Sequence, residues 1–154
     1  MPKIALFPGT FDPITRGHEA LIRKALPLFD KIIVVIGDNT QKHTMFPLEK
    51  RIMWVRQTFA GTPQIEVDCH HGLTTDYCHE KGAQYLIRGV RNGIDFNYES
   101  EIARINKTIA PDVESIFLLP DAGTEVVSST MVRELLTFGK DITPYIPTAI
   151  HIGQ

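Results

Sequence analysis

A chain of 154 residues, 43% hydrophobic and 22% charged, has the size and make-up of one soluble globular domain (residues 1–154) with its own core. Its formal net charge of -2 excludes a general attraction to nucleic acid, so any anion site must come from a local cluster of cations. Two cysteines without C-x-x-C spacing read as reduced thiols, and neither a membrane-length apolar run nor a basic-then-apolar leader occurs; a cytoplasmic protein with no nucleic-acid or membrane partner is expected.

The first element is a short apolar strand, Ile4–Phe7, closed by Pro8 and Gly9. Thr10, Asp12 and Thr15 offer small polar caps and Gly17 gives the backbone room. A helix is expected from Glu19 to Leu28, with His18 where it begins. A strand, a tight glycine turn and a helix N-terminus leave free N–H groups converging on one point, which suits an anion, and the His18 imidazole faces whatever is held there. Neither G-x-G-x-x-G nor G-x-x-x-x-G-K-[ST] is present, so the turn is not a dinucleotide fingerprint or a P-loop.

Lys31–Gly37 is an almost unbroken β-branched run, as expected of a central parallel strand covered on both faces. The polar stretch Asp38–Thr44 is a loop that carries Lys42 at the ligand-collecting edge of such a sheet. Pro47 opens an amphipathic helix with Leu48, Ile52, Val55 and Phe59 on its apolar face and Trp54 beside it. A short strand, Gln64–Val67, leads to Cys69-His70-His71, and Cys78-His79 follows on a helix running from Thr74 or Thr75 to Lys81. Adjacent residues cannot all point inward, so no protein-held metal is expected.

The fourth strand, Gln84–Ile87, ends directly in Arg88-Gly89-Val90-Arg91. Two guanidinium forks at a strand end fit paired phosphate oxygens; the alternative is a pairing with Asp95 or Glu99. The longest periodic segment, Ile94–Ile109, presents Tyr98, Ile102, Ile105 and Ile109 as its expected core face. Asp95, Glu99, Ile102 and Asn106 form an adjoining face suited to a pocket wall or an oligomer interface. Glu114–Leu119 is the fifth strand. After the loop Asp121–Val127, Ser128-Ser129-Thr130 cap a helix, Met131–Phe138. Arg133 in its first turn opposes the helix dipole and calls for an anion or carboxylate. The proline-bearing tail can form at most a short helix. Five strands alternating with helices predict a single-domain, doubly wound, five-stranded parallel α/β sheet with helices on both faces, every polar cluster following a strand end.

Those clusters together carry a resemblance. Pro8-Gly9-Thr10-Phe11-Asp12-Pro13-Ile14-Thr15-Arg16-Gly17-His18 resembles the T/H-x-G-H signature of the HIGH-type nucleotidyltransferases, and Val127-Ser128-Ser129-Thr130-Met131-Val132-Arg133 their I-S-S-T-x-x-R block. Ile87-Arg88-Gly89-Val90-Arg91 and Asp95-Phe96-Asn97-Tyr98-Glu99 resemble the bacterial pantetheine-phosphate adenylyltransferases of coenzyme A biosynthesis, and the likeness runs from residue 3 to about 150. It implies a Rossmann-like fold and a transfer of AMP from ATP to 4′-phosphopantetheine. The products would be dephospho-coenzyme A and pyrophosphate, formed by direct in-line attack without a covalent intermediate.

The resemblance assigns catalysis to His18, Thr10, Lys42, Arg91 and Ser129. ATP would meet Thr10, Phe11, His18, Gly89, Val90, Arg91 and Glu99, together with Thr124, Glu125, Val126, Val127, Ser128, Ser129 and Thr130. Thr10, Lys42, Leu73, Thr74, Arg88, Ile102 and Asn106 would hold the pantetheine substrate. Mg2+ would be held mainly by phosphates and water. A homohexamer and coenzyme A as a feedback ligand are likewise implied. Three positions depart from the pattern: Arg16 where asparagine is frequent, expected to point outward; Thr124 where some members have tryptophan; and Thr74 where an aliphatic residue is common. Two other readings compete, transfer to a different phosphate acceptor such as nicotinate mononucleotide, and a nucleotide-binding regulatory protein without catalysis.

Overall fold

The structure is a computed structural model that describes residues 1–38 and 43–153; Lys42 lies outside the described residues. Along the chain follow β1 (Ile4–Gly9), α1 (Arg16–Ala25), β2 (Lys31–Gly37), α2 (Leu48–Thr58), β3 (Ile65–His70), α3 (Thr74–Lys81), β4 (Tyr85–Gly89), α4 (Gly93–Ile109), β5 (Glu114–Leu118) and α5 (Ser129–Thr137). Single 3-10 turns follow at Leu26–Leu28 and Thr143–Tyr145. All strand pairs are parallel and the sheet order is β3-β2-β1-β4-β5, with Leu6 of β1 registered against Ile33 on one side and Leu86 on the other. The strand order reverses between β1 and β4. A crevice opens at such a switch point, beyond the carboxyl ends of the two strands.

Alternation along the strands divides the core in two. Ala5, Phe7, Ile32, Val34 and Ile36 face α1, α2 and α5, and meet Ile22, Trp54, Val55, Val132 and the tail residues Ile142, Ile146, Ile150 and Ile152. Leu6, Ile33, Val35 and Leu86 face the other way, onto Tyr77, Cys78, Ala110 and Val113. Both cysteines are free, and Cys78 belongs to this second core.

Several elements differ from the expectation. β1 continues through Pro8 and Gly9 because β2 keeps pairing with it as far as Ile36. β3 likewise runs on to His70, paired with Gly37, rather than stopping at Val67. α1 begins at Arg16 instead of Glu19, because Thr15 caps it. The Thr15 Oγ1 accepts the His18 N–H at 3.3 Å and His18 Nδ1 accepts the Thr15 N–H at 3.0 Å, a capping box with histidine in the place usual for Glu or Gln.

The α4 stripe read as a core face is the largest correction. Tyr98, Ile105 and Ile109 are 66%, 61% and 52% exposed, Ile102 is half-buried, and Glu99 is the buried residue of the helix. The second face of the sheet is already filled by α3 and by Ala110 and Val113 beyond α4, so the helix leans on β5 through an edge contact of Phe96 with Phe117 and turns its isoleucines outward. Periodicity identifies an apolar face but not the surface that covers it.

Candidate active site

A cavity of about 470 Å³ opens at the carboxyl ends of β1 and β4. Its floor is Phe7-Pro8-Gly9 and Ile87-Arg88-Gly89, its walls the N-termini of α1 and α5 and the loop that holds Thr124 and Glu125. A second cavity of about 290 Å³ lies toward β2 and β3, between Val35, Gly37, His70, Gly72, Thr74 and Tyr77. The two share Pro8, Gly9, Thr10 and Arg88 as a common wall.

The turn after β1 shapes this junction. Phe11 adopts a φ of 51°, a left-handed conformation that is uncommon for a bulky residue and is paid for by its packing: the ring is 2% exposed and lies 4.9 Å from the His18 ring. A Cβ on Gly9 would stand 2.9 Å from that ring. Gly17 meets the opposite loop, where a Cβ would come within 3.1 Å of the Val127 carbonyl oxygen.

His18 is fixed by its own helix. Because Nδ1 accepts the Thr15 N–H, the proton of the neutral ring resides on Nε2. Burial, with the positive charge of Arg88 second, lowers its pKa to about 4. At neutral pH the cavity therefore receives an uncharged ring with one N–H to donate.

Arg88 is held on three sides. Its Nε and Nη2 each donate to a Glu99 carboxylate oxygen at 2.9 Å, and Nη1 donates to the Pro8 carbonyl at 2.9 Å. Among the described residues these partners take three of the five guanidinium N–H groups, which leaves two at the shared wall. Arg91 pairs with Asp95 at 2.9 Å, and that bond holds the Asp95 carboxyl below its ordinary range. The carboxylate pairings that competed with phosphate contact are thus both formed, and the one to Glu99 leaves part of the Arg88 fork open.

The hydroxyls at α5 divide their work. Ser128 caps the helix by accepting the Met131 N–H at 3.1 Å, and Ser129 donates to the Pro13 carbonyl at 2.7 Å, tying α5 to the turn after β1. Thr130 accepts from Arg133 Nη2 at 3.2 Å. The carboxylate expected near Arg133 is that of Asp12, 3.9 Å away, while Nη1 donates to the Asp12 carbonyl at 2.8 Å.

Thr10, Phe11, His18, Gly89, Arg91, Thr124, Glu125, Val127, Ser128, Ser129 and Thr130 line the larger cavity, and Thr10, Thr74 and Arg88 the smaller. Other expected residues stand apart. Val90 is buried with its N–H on the Leu118 carbonyl, Glu99 sits behind Arg88, and Val126 is 67% exposed. Leu73 is exposed and accepts from His70 Nε2 through its carbonyl; Ile102 and Asn106 are half-buried on α4, outside both cavities. Arg16 is half-buried and donates to the Ile146 carbonyl at 2.8 Å, clipping the C-terminal segment to α1.

One residue was read only as a small polar cap and another escaped the sequence reading. Asp12 is buried and accepts the Met45 and Phe46 N–H groups at 2.8 and 2.9 Å. Arg51, also buried, donates to three backbone carbonyls beside the junction. The available signal was its spacing: three residues after Leu48 and four before Val55, a cation on an apolar stripe. Among the described residues no group of three or more His, Cys, Asp or Glu side chains is placed to hold a metal.

Residues 6–135 match the family model described as cytidylyltransferase-like. The chain is 45% identical over 148 residues to the phosphopantetheine adenylyltransferase of Phocaeicola vulgatus, covering 96% of this chain and 97% of the relative. It is 41% identical over 150 residues to that of Cytophaga hutchinsonii, covering 97% and 100%. A bifunctional NMN adenylyltransferase/ADP ribose pyrophosphatase from Francisella tularensis has the same fold, with a TM-score of 0.72 at 18% identity; it aligns with 97% of this chain, which spans 46% of that longer one.

Proposed function

Because the chain belongs to the cytidylyltransferase-like family, and within it to the phosphopantetheine adenylyltransferases, we propose that it joins AMP from ATP to 4′-phosphopantetheine by direct in-line attack. The observation that supports this reading best is the pair of cavities meeting at Thr10 and Arg88, room for two substrates with their reacting phosphates at one wall.

In this reading the nucleotide occupies the larger cavity between the α1 and α5 N-termini, whose unpaired N–H groups and dipoles favour its phosphates. Thr10, Phe11, Gly89, Arg91 and the stretch Thr124–Thr130 surround it. The acceptor lies in the smaller cavity beside Thr74, with its phosphate on the two open N–H groups of Arg88 and on Lys42. A phosphate monoester has its second pKa near 6, so no general base is needed. An acceptor oxygen forms a bond to the α-phosphorus as the bond to the β-phosphate bridging oxygen breaks, and pyrophosphate departs with that electron pair. His18 Nε2, Thr10 and Arg91 stabilise the charge that spreads over the transferring group, and holding two anions in line supplies most of the rate. No nucleophilic side chain is used; Cys78 lies in the core, its thiol pushed up to about 11 by burial and by Asp112.

The site fits a magnesium ion that arrives on ATP rather than one held by the protein. Both Asp12 oxygens are engaged by backbone N–H groups, and Glu125 accepts the Gly123 N–H. Such an ion would neutralise charge on the β- and γ-phosphates. The reading also includes a homohexamer formed through the exposed α4 face, a cytoplasmic location, and coenzyme A as a product-like feedback ligand of the same cavities. No helix among the described residues is long and apolar enough to cross a membrane.

Pyrophosphate release from ATP and magnesium is the test, with 4′-phosphopantetheine, unphosphorylated pantetheine and nicotinate mononucleotide compared as acceptors. Release with 4′-phosphopantetheine alone, and dephospho-coenzyme A identified by mass, is expected. Release only with nicotinate mononucleotide would keep nucleotidyl transfer and replace the substrate; binding of ATP without release from any acceptor would make the protein a nucleotide sensor.

A further inference from the structure

Arg51 lies in the first turns of α2, is 4% exposed, and donates to the carbonyl oxygens of Thr10 at 2.9 Å, Phe46 at 3.1 Å and Gly37 at 3.3 Å. Each oxygen belongs to a different segment. Thr10 follows β1 and lines both cavities; Gly37 ends β2 and lines the smaller; Phe46 precedes α2. One guanidinium therefore ties together three segments, two of which border the junction.

The charge itself is unusual. No described carboxylate forms an ion pair with Arg51, and the buried Asp12, which holds the same Met45–Phe46 segment, is engaged by two backbone N–H groups and by Arg133. A buried cation with only carbonyl partners is costly, and a well-packed apolar side chain would fill the same volume at less expense. The cost is offset where an anion binds close by without touching the group. Phosphates at Thr10 would lie at the very residue whose carbonyl Arg51 holds.

We propose that Arg51 is a positioning residue for adenylyl transfer: its fork fixes Thr10 against Gly37, so that donor and acceptor phosphates meet in line at the wall the two cavities share. This rests on the nucleotidyl-transfer reading and deepens it. A fork that binds three carbonyls at once is a property of arginine; the ammonium of lysine keeps the charge but not the geometry.

The test compares Arg51→Lys and Arg51→Gln with the unaltered full-length chain. Thermal unfolding checks the fold, titration gives the ATP Kd without acceptor, and pyrophosphate release gives kcat and the KM for 4′-phosphopantetheine. Both variants are expected to melt cooperatively and to lose kcat by at least about thirtyfold, the scale of one misplaced reacting group. The ATP Kd of Arg51→Lys is expected to stay within about threefold, because the loss belongs to alignment and not to ground-state binding. Unaltered kcat in Arg51→Lys would overturn the geometric role. Recovery of kcat in both variants on cooling below their melting range would reduce Arg51 to a packing residue. An unaltered chain that releases no pyrophosphate would instead defeat the proposed function, an outcome separate from either.

Discussion

The His18 ring meets the cavity already oriented, since its Nδ1 is engaged by Thr15 and its neutral form leaves a single donor on Nε2. A donor of that kind stabilises charge that grows during transfer more than charge already spread over bound ATP. His18→Ala is accordingly expected to lower kcat about 100- to 1,000-fold, the scale of losing one oriented donor, with the ATP Kd changed only a few-fold. Steady-state kinetics and direct titration check this; equal damage to both quantities would remove the role. Arg88 works by a different logic. Glu99 and Pro8 engage three of its five donors, so the residue acts as an oriented fork and not as a mobile point charge.

At the scale of the helix, the box that begins α1 depends on a neutral His18. Protonation at Nδ1 would place an N–H where the Thr15 N–H must be accepted. The folded-state pKa of about 4 lies below the ordinary 6.5, so between these values the unfolded chain binds the extra proton. The contribution is complete above pH 6.5 and declines as the pH falls toward 4. It amounts to about 2–3 kcal/mol once screening at the half-open ring is allowed for. Urea unfolding at pH 7 and pH 4.5 should reveal the loss in the unaltered chain and a smaller one in His18→Asn; equal losses in both would assign the effect to other groups. α5 has an ordinary serine cap, and its remaining hydroxyls bind the Pro13 carbonyl and Arg133, which fixes the two helix N-termini relative to each other.

For the molecule as a whole, the two faces of the sheet are unequally covered. The face packed by α1, α2, α5 and the tail is closed, while α4 turns Ile94, Tyr98, Ile105 and Ile109 outward. The proposed hexamer would form through this apolar face. If α4 mediates assembly, the unaltered chain should elute with light-scattering mass of a hexamer, and Ile105→Lys as a smaller species with undiminished helix content by circular dichroism. A monomeric unaltered chain would defeat the assembly, and would leave the α4 face without a role.

The sequence by itself determined the alternation of strands and helices, the position of the glycine turn after the first strand, and the arginines and hydroxyls at the strand ends. These follow from neighbours within a turn or two of the chain: β-branched runs, caps, glycine turns, and motifs whose residues are adjacent. Only the tertiary structure decided which surface covers each face. Arg51 reaches Thr10 across 41 residues of sequence and Arg88 reaches Pro8 across 80, separations at which periodicity carries no information. α4 has the pattern of a core helix, yet the side of the sheet it could have covered was already taken by α3 and by Ala110 and Val113. Whether Arg88 meets a carboxylate was open in the sequence for the same reason. The pairing forms because β4 and α4 pack closely enough for Glu99 to take one edge of the guanidinium, while the residue still lines the cavity.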